Sequence, residues 1–206
     1  MKADKAGEQL KVIRQLMERP VRYSTMSGVS GILAGAAALV GLALDQHFWT
    51  RLAPNEALVV NMFVWGGVFV AALTAALVLT RLREKRQGMP FWSPVKRRIL
   101  STILPPFVAA IGLTAAVAGR FGVQGGWDTI PQGYLIPAIW MLFYGVALWQ
   151  VGQFSPVEVR LLGAGFIAAG LATAAVATSY PYWAMGITFG GFHVVYGVVV
   201  CVRHGG

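Results

Sequence analysis

The chain has 206 residues, of which 56% are hydrophobic and only 12% are charged. Soluble domains carry about 25% charged residues, so this composition excludes an ordinary soluble protein and indicates that lipid surrounds much of the chain. The formal net charge is +9, but no basic module with interleaved aromatic residues accompanies it, and nucleic acid is therefore not a predicted partner. The single cysteine, Cys201, excludes intramolecular disulfides and cysteine-based zinc clusters.

The N-terminal segment, residues 1–25, has an apolar helical face. Leu10, Ile13, Leu16 and Met17 recur at helical spacing, and the charged residues of the segment occupy other positions. This pattern predicts a short amphipathic helix on the cytoplasmic surface of the membrane. A docking helix for a partner protein is the alternative interpretation.

Six apolar blocks follow, each close to the ~20 residues that a helix needs to cross a bilayer. They occupy residues 26–44, 57–80, 99–119, 131–151, 157–178 and 183–202. The blocks lack the alternating pattern of a membrane β-strand, and backbone groups in lipid must be hydrogen-bonded within their own segment. The sequence therefore predicts an all-α fold, a polytopic bundle of six transmembrane helices that forms one domain over residues 26–206.

The basic residues are divided unequally between the two sides of the predicted membrane. Of the 17 lysines and arginines, only Arg51 and Arg120 fall on the side opposite to the N-terminus. By the positive-inside rule, this division predicts a multi-pass membrane protein with both termini in the cytoplasm. The lipid bilayer is thus the first predicted partner, and the basic loops suit anionic head groups.

Two local patterns predict how the helices meet. In "SPVE", Ser155 is predicted to cap the fifth span, with Pro156 in its first turn and Glu158 bonded back to the cap. This interpretation assigns Glu158 to a tight hairpin and not to a functional site. Glycines that recur in the first, fifth and sixth spans predict close contact between helix backbones.

Ionisable residues are nearly absent from the interior of the predicted spans. His193 is the exception, whereas Asp45, Arg120 and Glu158 lie at span ends. The spans hold no paired carboxylates, no lysine suited to a Schiff base and no zinc-protease motif, so the sequence assigns no catalytic residue and no metal site and favours a non-enzymatic protein over an enzyme. An ionisable side chain within the membrane nevertheless marks a candidate site.

His193 lies on a stripe of small residues that is predicted to face the bundle interior. The stripe consists of Gly186, Gly190, Gly197 and Cys201. Tyr144 and Thr173 are the predicted hydrogen-bond partners of the imidazole. The candidate ligand-binding residues are His193, Tyr196, Tyr144 and Trp140.

Three interpretations of His193 remain open at this point: a neutral imidazole bonded to a neighbour, a quinone site and a haem ligand. Haem is disfavoured because His47 and His204 lie near the ends of their spans, where neither can face His193 at mid-depth. No cofactor is assigned.

Four segments carry a resemblance to a known family. They are "IRQLMERPVRYSTMSGVSGILAG", "WMLFYGVAL", "SPVEVRLLG" and "YWAMGITFGGFHVVYG". With these segments the chain resembles a family of small bacterial integral membrane proteins that have six helices and no known activity. The resemblance implies a place in the bacterial inner (plasma) membrane. Related sequences place a glutamate in the fifth span where this chain has Phe166, so any polar pairing that uses the glutamate does not carry over.

Three functional hypotheses follow. The first is a non-enzymatic accessory or sensor-like subunit that binds a membrane-protein partner, a second copy of the chain or a lipophilic small molecule within the bundle. The second is a small transporter that uses the glycine-rich helices as moving elements. The third is a redox protein that binds quinone or haem.

Overall fold

A computed structural model describes residues 28–52, 54–86, 88, 92–123, 135–176 and 181–204. These residues form six helices: α1 (Gly28–Trp49), α2 (Pro54–Arg86), α3 (Pro94–Val123), α4 (Leu135–Val151), α5 (Val157–Val176) and α6 (Pro181–His204). The described part contains no strand, and the predicted all-α bundle is confirmed. The predicted amphipathic helix within residues 1–25 lies outside the described residues.

Five of the helices, α1, α2, α3, α5 and α6, are long and apolar enough to cross a membrane, which is compatible with a multi-pass membrane protein. The sixth, α4, is a shorter apolar helix of 17 residues. At about 1.5 Å per residue it is ~25 Å long, against a hydrocarbon core of about 30 Å.

Helices α2 and α3 extend beyond the predicted apolar blocks at the loop that joins them. Arginine and lysine are good helix formers, so α2 continues to Arg86 after its apolar residues end. Helix α3 begins at Pro94 because the Ser93 Oγ accepts a hydrogen bond of 3.2 Å from the Lys96 backbone N–H and proline suits the first helical position. The charged turns therefore belong to the helices and not to the loop.

Glycines bring α1 and α6 into backbone contact. A Cβ atom placed on Gly197 would lie 2.5 Å from the Gly28 carbonyl oxygen and 2.6 Å from the Ile32 nitrogen. Gly35 meets the Gly190 carbonyl oxygen in the same way, at 2.6 Å. Since no side chain fits in these positions, the predicted role of the glycines in close helix packing is confirmed for this pair.

Glycines also bring the backbones of α4 and α5 into contact. A Cβ atom on Gly145 would lie 2.7 Å from the Ile167 nitrogen, and one on Gly163 would lie 2.6 Å from the Trp149 nitrogen. Helix α6 also contacts α4 and α5, and it thereby joins the α1–α6 pair to the α4–α5 pair. Helix α2 packs on α1, and α3 packs on α4.

One end of the bundle carries most of the positive charge. Of the ten lysines and arginines whose side chains the structure describes, only Arg51 lies at the opposite end. At the basic end, the Arg203 Nη1 donates to the Glu158 Oε1 at 3.0 Å, and the Arg98 guanidinium lies 5.3 Å from the centre of the Phe154 ring. These contacts join α6 to α5 and α3 to the turn between α4 and α5.

The cap predicted at Ser155 is wrong. The Ser155 Oγ is buried and has no hydrogen-bond partner in the part of the chain that the structure describes. Helix α5 begins at Val157, and Glu158 accepts a hydrogen bond from Arg203 of α6. The turn is therefore accompanied by the contact between Glu158 of α5 and Arg203 of α6. A local sequence pattern could not predict this contact, because the two residues are far apart in the sequence.

Candidate functional site: a histidine-centred aromatic cluster and the groove beside it

His193 is hydrogen-bonded through both ring nitrogens. Its Nδ1 lies 2.8 Å from the Phe189 carbonyl oxygen, and its Nε2 lies 2.7 Å from the Tyr144 hydroxyl oxygen. A carbonyl oxygen only accepts, so Nδ1 carries the proton and a neutral ring accepts at Nε2 from the Tyr144 hydroxyl. Of the two partners that the sequence predicted, the structure places Tyr144 against the imidazole and joins α4 to α6.

Aromatic rings enclose this hydrogen bond. The Phe166 ring lies 4.9 Å from the Tyr144 ring and 5.4 Å from the His193 ring, and the Phe189 ring stacks on the His193 ring at 6.0 Å. Phe166 is fully buried. The imidazole is thus held on two sides by rings and at both nitrogens by hydrogen bonds, which fixes its orientation.

The cluster continues towards α2 and α3. Phe107 of α3 contacts the rings of Tyr144 and Trp140, at 6.3 and 6.2 Å, and Phe69 of α2 contacts Phe107 at 5.7 Å. We call the following residues the aromatic cluster: Phe69, Phe107, Trp140, Tyr144, Phe166, Phe189 and His193. Phe69, Phe107 and His193 lie near the middle of their helices, so the cluster is at the mid-depth of the bundle.

The four predicted ligand-binding residues do not form a single contact set. His193 and Tyr144 are bonded to each other, and Trp140 joins them through Phe107. Tyr196 lies against α1, where a Cβ atom on Gly31 would be 3.1 Å from its ring. A role of these four residues in ligand binding stays a prediction.

Haem ligation does not fit this arrangement. An axial ligand needs a free lone pair on the imidazole, and the Nε2 lone pair of His193 is directed at the Tyr144 hydroxyl. The other histidine of the described helices with a defined side chain, His47, lies 3.0 Å from Arg51 at the far end of α1.

Asp45 and Asn61 form a buried polar pair that the sequence pattern did not predict. The structure continues α1 to Trp49, so Asp45 lies inside the helix, where it is 3% exposed and accepts a hydrogen bond from the Asn61 side chain of α2. The Gln46 amide also donates to Asp45, at 3.3 Å. Asn61 is 3% exposed. The sequence signal for this pair was an asparagine inside an apolar block. Lipid offers its side chain no hydrogen-bond partner, so another helix must provide one.

Replacing Asn61 with leucine is expected to lower the free energy of unfolding by about 1–3 kcal/mol, because it leaves the buried Asp45 carboxyl without its partner on α2. Thermal unfolding in detergent measures the change. Asp45→Asn, which keeps a hydrogen-bonding group at the position, is the matched control and should cost less. Wild-type stability of the Asn61→Leu protein would contradict this account.

A groove separates α2 from α3. The two helices meet at the Glu84 and Lys96 side chains, whose ion pair measures 2.6 Å, and at the Phe69 and Phe107 rings. They do not otherwise pack closely along their described lengths. The 15 residues from Phe69 to Glu84 correspond to about 22 Å of helix.

The sides of this groove are apolar and exposed. On α2, Leu73 and Leu77 follow Phe69 at intervals of four residues and therefore lie on the face that bears both contacts with α3. They are 46% and 62% exposed. On α3, Leu100 lies between Lys96 and Phe107 and is 51% exposed. We call the space between these two stripes the α2–α3 groove; it runs from the basic end of the bundle to the aromatic cluster.

Two buried donors near the cluster have no partner in the described part of the chain. They are the Trp65 Nε1, on the turn of α2 before Phe69, and the Thr114 Oγ1, two turns beyond Phe107 on α3. Trp65 packs against the buried core residues Met141, Phe166 and Met185. Buried donors are normally satisfied, so these two offer hydrogen bonds that the described fold does not use.

Models of known protein families, curated proteins and solved structures were each compared with the chain, and none of them matches it.

Proposed function

We propose that this is a non-enzymatic protein of the inner membrane, with an accessory or sensor-like role, that holds one lipophilic molecule in the α2–α3 groove. The observation that carries the proposal is the exposure of Leu73, Leu77 and Leu100, which lie on facing stripes of two neighbouring helices. Helices in lipid normally associate by close packing. Two facing apolar stripes that remain apart leave room for an apolar chain.

The aromatic cluster supports the same conclusion at the inner end of the groove. Phe69 and Phe107 close the groove at mid-depth, and Trp140 contacts both rings. Ligand sites are lined chiefly by apolar and aromatic side chains with a few polar groups. Behind these rings, the Tyr144 to His193 hydrogen bond fixes the positions of α4 and α6. On this proposal His193 is a positioning residue, and the groove residues touch the ligand.

The orientation of the chain is also part of the proposal. The basic end of the bundle faces the cytoplasm by the positive-inside rule, so the groove opens in the cytoplasmic leaflet. The transporter hypothesis, the partner-protein and second-copy hypotheses, and the resemblance to small bacterial six-helix proteins stay predictions.

The test is a variant that fills the groove. Leu77→Trp places a large ring between α2 and α3, and we expect it to displace the lipophilic molecule. Native mass spectrometry of the protein extracted in mild detergent measures the mass that stays bound to each chain. The wild-type protein should keep one lipophilic adduct, and Leu77→Trp should lose most of it.

Leu161→Trp is the matched control, because Leu161 is 65% exposed, lies on α5 and belongs to the same half of the bundle. It should keep the adduct. A wild-type protein without any adduct, or equal loss of the adduct in both variants, would overturn the proposal.

A further inference from the structure

We infer that the molecule held in the α2–α3 groove is an anionic phospholipid, with its head group bound at the basic end of the α2–α3 hairpin. The inference rests on the proposed function, because it assigns the class of ligand for the same groove. It is carried by a second feature of the groove, the charge at its open end.

The hairpin end is strongly basic. Residues 81–98 contain seven lysines and arginines and one carboxylate, Glu84, which gives a net charge of +6. Glu84 is 1% exposed and pairs with Lys96 at 2.6 Å and with Arg81 at 3.9 Å. Within this segment one carboxylate stands against seven cations. A rim of net positive charge therefore lies at the end of an apolar groove.

Two exposed cations adjoin the ion pair that closes the groove at this end. Lys85 follows Glu84 on α2, and Arg97 follows Lys96 on α3; both side chains are exposed. A guanidinium and an ammonium group are the side chains that bind phosphate oxygens through charge-assisted hydrogen bonds. A phosphate bound by either group would neutralise part of the rim.

The length of the groove matches this ligand. It extends about 22 Å along α2, from the cationic rim to the aromatic cluster at mid-depth. One leaflet contributes about half of a hydrocarbon core that is ~30 Å thick, to which the head-group region is added. A molecule that fills the groove therefore needs an anionic group at the membrane surface and an apolar chain that reaches the midplane. A phospholipid of the cytoplasmic leaflet has both.

The experiment compares two phospholipids with identical acyl chains. Full-length protein is stripped of lipid in detergent and titrated with dioleoyl phosphatidylglycerol or dioleoyl phosphatidylcholine, and native mass spectrometry gives the apparent Kd of each. We expect phosphatidylglycerol to bind about 25-fold more tightly, since each of the two cations contributes roughly a factor of five. The Lys85→Gln/Arg97→Gln double variant should lose this factor and bind the two lipids with similar affinity.

Arg203→Gln is the control for general electrostatic attraction, because Arg203 is exposed at the same end of the bundle but on α6. It should keep the preference for phosphatidylglycerol. Equal affinity of the wild-type protein for the two lipids would overturn the inference and leave the proposed function standing. An equal loss of preference in Arg203→Gln and the double variant would also overturn it. If neither lipid binds, the inference and the proposed function both fail.

Discussion

Replacing Gly197 with alanine is expected to lower the free energy of unfolding by about 3 kcal/mol, at the upper end of the range for overpacked interiors. The added methyl carbon would lie 2.5 Å from the Gly28 carbonyl oxygen and 2.6 Å from the Ile32 nitrogen. Both atoms belong to the backbone of α1, so no side-chain rotation relieves the contact and the two helices must move apart. Thermal or denaturant-induced unfolding in detergent measures the loss.

Gly66→Ala is the matched control for this variant. Gly66 also lies within an apolar helix, but a Cβ atom placed there meets nothing within 4 Å. Alanine favours a helix over glycine by up to about 1 kcal/mol, so the control should be as stable as the wild-type protein or slightly more stable. If the two variants lose equal stability, the loss comes from replacing a helical glycine at any position and not from the contact between α1 and α6.

His193→Ala is expected to lower the free energy of unfolding by about 3–5 kcal/mol, the range for removing a large ring from a protein interior. The imidazole is 8% exposed and contacts the rings of Phe166 and Phe189. Its removal leaves a cavity among these rings and deprives the Tyr144 hydroxyl of its acceptor. The protein should unfold at a lower temperature, and the loss of binding in the groove should be no larger than the loss of folded protein.

A double-mutant cycle separates the hydrogen bond from the packing. Tyr144→Phe and His193→Phe each keep a ring and remove one partner, and each should cost about 1–2 kcal/mol because the other partner stays buried and unsatisfied. Coupling energies between membrane helices average about 0.6 kcal/mol and reach about 1.7 kcal/mol, so the cycle should fall in that range. Strictly additive effects of the two variants would show that the bond contributes nothing.

Thr114→Val is a control for Tyr144→Phe, because it also removes a hydroxyl group but is not expected to lower the stability of the protein. The Thr114 Oγ1 is buried and has no partner among the described residues, so replacing this hydroxyl with a methyl group of the same shape should be neutral or stabilising. A loss as large as that of Tyr144→Phe would indicate that hydroxyl removal is costly at any position in this bundle.

Hydropathy and spacing were sufficient to predict the helices and the role of the glycines. The apolar blocks determine six helices because backbone groups in lipid must be paired locally, and the spacing of Gly186, Gly190 and Gly197 places all three on one face. The spacing did not indicate that the His193 ring contacts different helices from those that the glycine face contacts. Gly197 contacts α1, whereas the imidazole next to this stripe contacts Tyr144 and Phe166 of α4 and α5.

The remaining features depend on which helices are neighbours, and no local pattern contains that information. The Asp45 to Asn61 bond joins residues 16 positions apart, and the groove exists because two helices that are adjacent in the sequence pack on different neighbours. Phe166 gives a further example. Its ring lies against His193, with 5.4 Å between ring centres, although 27 positions separate the two residues in the sequence.

The concentration of glycine-mediated backbone contacts in two helix pairs, α1–α6 and α4–α5, has a genetic consequence. At Gly35 and Gly197 of the first pair and at Gly145 and Gly163 of the second, the added methyl group of an alanine would overlap the backbone of the neighbouring helix. On the α2–α3 hairpin, Gly66, Gly67 and Gly112 have open space around them. In a library of random substitutions, glycine replacements that abolish accumulation of the protein should therefore map to these two pairs. Replacements of Gly66, Gly67 and Gly112 should leave protein levels intact, so a phenotype that arises at these three positions reports on function.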